Sequence, residues 1–482
     1  MGVLEGKAPA KVWHYFEEIC KIPHGSGNIE QISDYLVDFA KERNLECYQD
    51  QTKNVIIKKP GTTGYEEKEP IILQGHMDMV AVKTPDSAID MKTQGLQLEV
   101  KGDWLSAKET SLGGDDGIAV AFALALLDST DIPHPPLEVL ITVDEEVGMD
   151  GAKAVDLSVC QGKRMLNLDS EEEGIFLAGC AGGMRVDCVF PMRKERVNKI
   201  PGKLLLGGLL GGHSGEEIHR ERGNAIVLMG RVLTKLLEVD SFQVVSILGG
   251  LADNAIPREC TVECVVDEKD KETVLQIVKE YETILRQEYA VADAGLCFSL
   301  EFASAAYRKE VYRKEDASTL ANFIFAAPNG VQAYNPSLKG LPETSLNLGV
   351  ISEEGESVKV RYSLRSSKES AKLALCDKVS ILASAMGGRV EKSSAYPGWD
   401  YKEQSPLRDL MVSTYEKMYG TSPKIQVIHA GLECGLLMEK IPDLDCVSIG
   451  PDMKNIHTTE EELSILSTER VWNFVLEVLK NT

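Results

Sequence analysis

The chain has 482 residues, enough for two or three domains rather than one core, and a hydrophobic content of 43% supports globular folding. Its formal charge of −23 is spread along the sequence with no basic cluster to offset it, which argues against nucleic acid or an anionic membrane as partner. The N-terminal MGVLEGKAPAKVWHYFEEI lacks the charged-then-apolar order of a signal peptide, and the longest apolar run, Ile118 to Leu127, is too short to span a bilayer; a soluble cytoplasmic protein is expected.

Residues 12–44 read as two amphipathic helices broken at IPHGSGN, where proline and glycines end the first and Asn28 is placed to cap the second. NVIIKK, PIILQGH, LEVLITVD and RMLNLDS then read as strands, with DDGIAVAFALALLDS between them as a buried helix, which is α/β patterning. From Met184 the character changes to alternating strands (MRVDCVF, FQVVSILGG, ECTVECVVD) with a charged helix, KDKETVLQIVKEYETILRQEY, as in an α+β domain. A strand, strand, helix order recurs in SLNLGVISEEGESVKVRYSLRSS and SKESAKLALCDKVSILASAMGG. After Trp399 come a helix, PLRDLMVSTYEKMYG, strands at IQVIHA and DCVSIGP, a loop bearing His457, and a terminal helix. The expected organisation is a first domain over residues 1–183, an inserted domain over 184–399, and a return to the first over 400–482. Eleven cysteines at irregular spacings, with no C-x-x-C pair, fit reduced thiols, and Cys434 in GLECG reads as a buried structural one.

His76, Asp78, Glu145, Glu146 and Asp169 each stand just past an apolar run, where open α/β sheets gather functional groups at strand carboxyl ends. His76 and Asp78, two apart in extended chain, point the same way. Asp115, in SLGGDDG, falls at a helix N-terminus, where the dipole favours an anion. With His457, these residues make a nitrogen and oxygen set suited to zinc, manganese or cobalt, and two ions sharing Asp115 would keep positions open for water. An attacking water also needs an uncoordinated base, a role open to Glu145 if Glu146 binds metal, while Asp78 can orient His76. Each of these residues alone is ordinary, since acidic residues after strands commonly form turns facing solvent. His213 reads either as structural or as a carbonyl-polarising group, and Arg365 either as a surface residue or as a carboxylate clamp. His14, His24 and His134 lie outside the clusters and read as structural. The glycine-rich LLLGGLLGGHSGEEIH lacks the G-K-[ST] of a phosphate loop.

Taken together, LQGHMDMV, SLGGDDG, VDEEVGMDGA, LNLDSEEEG, GGHSG, HAGLECG and IGPDMKNIHTTEE resemble the aminoacyl-histidine dipeptidases, or cytosolic non-specific dipeptidases, of the M20 metallopeptidase family, and the likeness covers nearly the whole chain in order. The resemblance implies an α/β zinc-peptidase-like catalytic domain with a mixed central sheet, interrupted by an α+β lid domain of two subunits. It further implies two Zn2+ ions, with Mn2+ or Co2+ as substitutes, bridged by Asp115, one held by His76 and Asp169 and the other by Glu146 and His457. By the same match Glu145 is the general base that generates a metal-bound hydroxide, and Asp78 positions His76. His213, Asn254 and Arg365 match lid contacts to substrate. Unblocked dipeptides, Xaa-His among them, are the implied substrates, and a homodimer the implied assembly. Two departures stand out: Asp115-Asp116 replaces an aspartate-asparagine pair, and Thr458-Thr459 follows His457 in place of serine-proline. The same scaffold also fits an aminoacylase, a tripeptidase or carboxypeptidase, or a peptide-binding relative without catalysis.

Overall fold

In the computed structural model, which describes residues 2–336 and 338–482, short apolar runs form the middle of an eight-stranded mixed sheet. Its strands are β1 (Glu46–Gln49), β2 (Val55–Lys59), β3 (Ile71–His76), β4 (Leu137–Thr142), β5 (Arg164–Asn167), β6 (Ile175–Cys180), β7 (Lys424–Ile428) and β8 (Asp445–Ser448), in the spatial order β1-β2-β4-β3-β5-β8-β6-β7. β3 runs parallel to β4 and β5, and β8 parallel to β5. All six residues of β3 and of β4 are buried, as strands covered on both faces must be, so they read as largely apolar runs without strict alternation, interrupted by Gln74, His76 and Glu138.

Helices α1 (Ala10–Ile19), α2 (Glu30–Glu42), α3 (Gly114–Leu127), α4 (Glu433–Lys440) and α5 (Ile465–Asn481) belong to the same unit. α3 is buried along its entire length, which explains why its sequence is apolar all round. It packs on α1 and β3, and its Phe122 ring meets Trp472 of α5 with centroids 5.3 Å apart. Gly75 permits the approach to β3, since a Cβ there would lie 2.4 Å from Asp116 Oδ2 and 2.6 Å from Ala119 Cβ. The expected cap at Asn28 is not made. α2 starts at Glu30 without a side-chain cap, and Asn28 Nδ2 instead donates to Lys92 O, tying down the loop before the helix.

The first unit comprises Met1–Gly179, Trp399–Val427 and Leu432–Thr482; the second comprises Cys180–Gly398 and Ile428–Gly431. The second is built on a ten-stranded sheet whose paired strands run antiparallel, with helices at Ala225–Leu236, Lys271–Glu288, Lys314–Ala326 and Glu369–Ala385. Residues 428–431, expected with the returning stretch, join the second unit because Ala181 N donates to the carbonyls of Ile428 and Ala430, and His429 bonds to Ser345. The helix Glu433–Lys440 was not expected from sequence; eight residues are too few to display a period.

Candidate metal centre

The parallel strands of the first unit present their carboxyl ends together. β3 ends on His76; β4 leads into the turn bearing Glu145 and Glu146; β5 leads to Asp169. α3 contributes Asp115 and Asp116 from its first turn, joined by a cis peptide bond. That turn is fixed by Glu461, whose carboxylate accepts from the backbone N–H groups of Leu112, Gly113, Gly114 and, at 3.4 Å, Asp115, satisfying donors that a helix start leaves unpaired. His457, in left-handed backbone at φ 61°, enters from the loop after Met453–Lys454.

The two oxygens of Asp115 face different imidazoles: Oδ1 lies 3.1 Å from His76 Nε2, and Oδ2 3.1 Å from His457 Nε2. Around them, Asp169 Oδ1 stands 3.6 Å from His76 Nε2 and Glu146 Oε1 2.9 Å from His457 Nε2. Donors bound to one tetrahedral ion at ordinary zinc distances sit about 3.3 Å apart, so these spacings fit a pair of ions sharing Asp115. His76, Asp115 and Glu146 also offer one donor each within 4.8 Å, as do His76, Asp116 and Asp169. Asp116 Oδ2, however, accepts from His76 N, while its Oδ1 is buried without a hydrogen-bond partner among the described residues.

Asp78 serves two neighbours. Its backbone carbonyl accepts from His76 Nδ1 at 2.9 Å, closer than its carboxylate at 3.4 Å, so the imidazole Nε2 is left as the donor atom facing Asp115. Its carboxylate accepts from Glu145 N at 3.1 Å and Glu146 N at 3.4 Å, fixing the turn that carries both glutamates, and from Ser26 Oγ at 2.8 Å. Burial opposes ionisation of Asp78, yet bonding to His76 holds its carboxyl below the usual range.

Crowded carboxylates reshape proton affinity here. Burial works against ionisation at Asp115 too, but hydrogen bonds from His457 and His76 win and hold it well below the ordinary carboxylate range. Asp169 is pushed up to about 6, first by burial and then by Asp115 and Glu146, against the pull of His76. Burial and Asp169 raise Asp116 well above its normal value. Glu145 is raised well above its own by burial and by Asp169, Glu433 and Glu146, with His76 opposing. Bonds to Asp115 and Glu146 lift His457 to about 11, and at His76 the charge of Asp169 and bonds to Asp115, Asp169 and Asp78 outweigh burial.

Three site residues escaped the sequence reading. Glu433, fully buried, accepts from Gln74 and Thr142 and is pushed up to about 8, chiefly by burial. Glu461 is the helix clasp described above. Both bond to residues more than 290 positions away, which no local pattern announces. His24, already read as structural, is buried with Nδ1 on Ile22 O, and burial lowers its proton affinity against the nearby charge of Asp78.

In the second unit, His213, Arg365 and His429 gather around Gly215, where a Cβ would lie 3.1 Å from His213 Cε1, 3.3 Å from Arg365 Nε and 2.5 Å from His429 O. His213 Nδ1 accepts from Glu216 N, leaving Nε2 to carry the proton, and burial together with Arg365 keeps the ring neutral. His429, the third residue that escaped, is depressed to about 3 by burial, Arg365 and His213, and lies 2.7 Å from Ser345 Oγ. Arg365 is buried, with Nη1 on Tyr396 Oη at 3.4 Å and Nε without a hydrogen-bond partner among the described residues. Asn254 is exposed; its carbonyl accepts from Ser214 N, next to His213.

Residues 206–293 match a peptidase dimerisation domain of the M20 type. The chain is 38% identical to the cytosol non-specific dipeptidase of Escherichia coli over all of this chain and 99% of that protein. Its structure resembles the aminoacylhistidine dipeptidase of Vibrio alginolyticus with a TM-score of 0.90 at 36% identity, covering 100% of this chain and 98% of that one. The fold alone is shared with the aminopeptidase PepT of Bacillus cereus, at a TM-score of 0.57 and 16% identity over 98% of each chain.

Proposed function

Since the chain belongs to the M20 metallopeptidases and is a dipeptidase of that family, we propose that it hydrolyses unblocked dipeptides, Xaa-His among them, at a two-zinc centre held by His76, Asp115, Glu146, Asp169 and His457. The observation that carries this reading is Asp115, whose two oxygens each face a separate imidazole. Bound there, a metal pair acidifies water and polarises the scissile carbonyl. Glu145, left outside the ligand set, takes the proton of the attacking water on its carboxylate and delivers it to the leaving amine nitrogen. Asp78 holds the Glu145 turn and the His76 ring together.

In the second unit, Arg365, with an unpaired Nε, suits the substrate carboxylate. The neutral His213, with Asn254 nearby, suits a carbonyl. The dimerisation match favours a homodimer, and a cytosolic relative favours the cytoplasm; among the described residues no helix is long and apolar enough to cross a membrane.

The deciding experiment is amine release from a panel of free dipeptides and matched N-acylated amino acids, before and after chelation and with zinc restored. Cleavage confined to free dipeptides, lost on chelation and recovered with zinc, is the expected result. Cleavage of only the acylated compounds would make it an aminoacylase, and binding without turnover a peptide carrier.

The raised proton affinities set a sign for metal linkage. In the metal-free protein Asp169, Asp116, Glu145, His76 and His457 all hold protons more tightly than in the unfolded chain, so their contribution to stability falls as pH rises, from about 4 for the carboxyls and from about 6.5 for the two imidazoles. Asp115, shifted the other way, matters only below the carboxyl value. Metal binding requires deprotonated ligands. The rise in Tm on adding zinc is therefore larger at pH 8 than at pH 6, and a smaller rise at pH 8 would contradict these assignments.

A further inference from the structure

Two residues behind the ligands, the central strands carry a row of polar side chains where apolar ones would pack as well. Gln74 precedes His76 by two positions and Asn167 precedes Asp169 by two; Thr142 ends β4, three before Glu145. Gln74 lies opposite Asn167, and Asn167 opposite Ser448 on β8. All four are buried. Asn167 Nδ2 donates to Gln74 Oε1 at 2.6 Å, and Gln74 Nε2 donates to Glu433 Oε2 at 2.6 Å. Thr142 Oγ1 donates to the same oxygen at 2.5 Å. Asn167 Oδ1 in turn accepts from Asp169 N at 3.4 Å. The chain of bonds thus closes on Glu433, the first residue of α4, whose other oxygen is buried with no hydrogen-bond partner among the described residues.

A buried carboxyl with an unsatisfied oxygen costs stability, so the fold alone gives no reason for it. Directional bonds, however, fix the relative offset of strand ends more tightly than apolar contacts do, because each has a preferred length and angle. We propose that Glu433 is a positioning residue for the metal centre: through Gln74 and Thr142 it locks the ends of β3 and β4, so that His76 and the Glu145–Glu146 turn are presented at ligand separations. It touches neither, and the inference rests on the two-zinc reading above.

The test is zinc affinity, measured on the full-length chain by competition with a chromophoric chelator, with circular dichroism of the metal-free form as a check on folding. Glu433→Ala is expected to weaken at least one zinc by about 10–100-fold, the usual cost of losing a group that supports a ligand. Glu433→Gln, which keeps an acceptor for both donors, recovers most of that loss. Ser448→Ala, in the same row but with a hydroxyl that has no partner, leaves affinity unchanged. A folded Glu433→Ala that binds both ions as tightly as wild type overturns the inference, as does an equal loss in Ser448→Ala. If Glu433→Ala does not fold, Thr142→Val removes one donor with little change of shape, and wild-type affinity there overturns it equally. Wild-type protein that binds no zinc would instead overturn the two-zinc reading.

Discussion

Glu145→Gln is expected to lower kcat about 10²–10⁴-fold, the range attributable to a positioned general base, with metal content unchanged. The substitution keeps size and shape and removes only the capacity to accept a proton. The turn survives because it is held through the backbone: Glu145 N and Glu146 N both donate to Asp78. Burial and neighbouring carboxylates raise the proton affinity of Glu145, and cations bound beside it would favour its anion. Metal analysis alongside steady-state kinetics separates the possible results. Near-normal turnover would remove Glu145 from the mechanism, whereas loss of zinc in the variant would make it a ligand.

Asp115→Ala is expected to lose both ions rather than one, with activity falling to background, because one side chain faces both imidazoles. The loss exceeds the 10–100-fold drop that follows removal of a merely supporting group. Asp116→Ala provides the contrast, as one Asp116 oxygen is spent on His76 N. Zinc stoichiometry by elemental analysis reads the difference. If Asp115→Ala retained two ions and Asp116→Ala lost them, the bridging assignment would pass to Asp116.

Much of this candidate site was legible because the residues that the structure brings together follow strong local signals. β3, β4 and β5 are apolar runs, and a polar residue directly after such a run in a parallel sheet has few places to go but the carboxyl-end rim. Asp115 was legible from the glycines before it, and Gly113 does adopt positive φ, at 68°, where a Cβ would lie 2.8 Å from Met79 Sδ. Groups that act across the fold were not legible. Glu461 sits in an acidic TTEEEL stretch that reads as solvated surface, yet it is buried and clasps α3. Glu433 sits in GLECG, where glycine and cysteine distract from the carboxylate. His429 reads as one more residue of a strand, and its neutral state comes from burial and from Arg365, distant in sequence. Asn28 shows the converse error: a good cap by type, drawn away by a carbonyl at Lys92 that only the tertiary fold supplies.

The first unit is threaded from three stretches of chain, and His457 and Glu461 both lie in the last of them. A ribosome making this protein therefore completes the whole second unit before it supplies either residue. Until then His76, Asp115, Glu146 and Asp169 exist without the second imidazole, and the start of α3 lacks the carboxylate that pins its backbone. On the proposed two-zinc reading, the unfinished polypeptide is expected to be inert toward peptides until synthesis has passed Glu461.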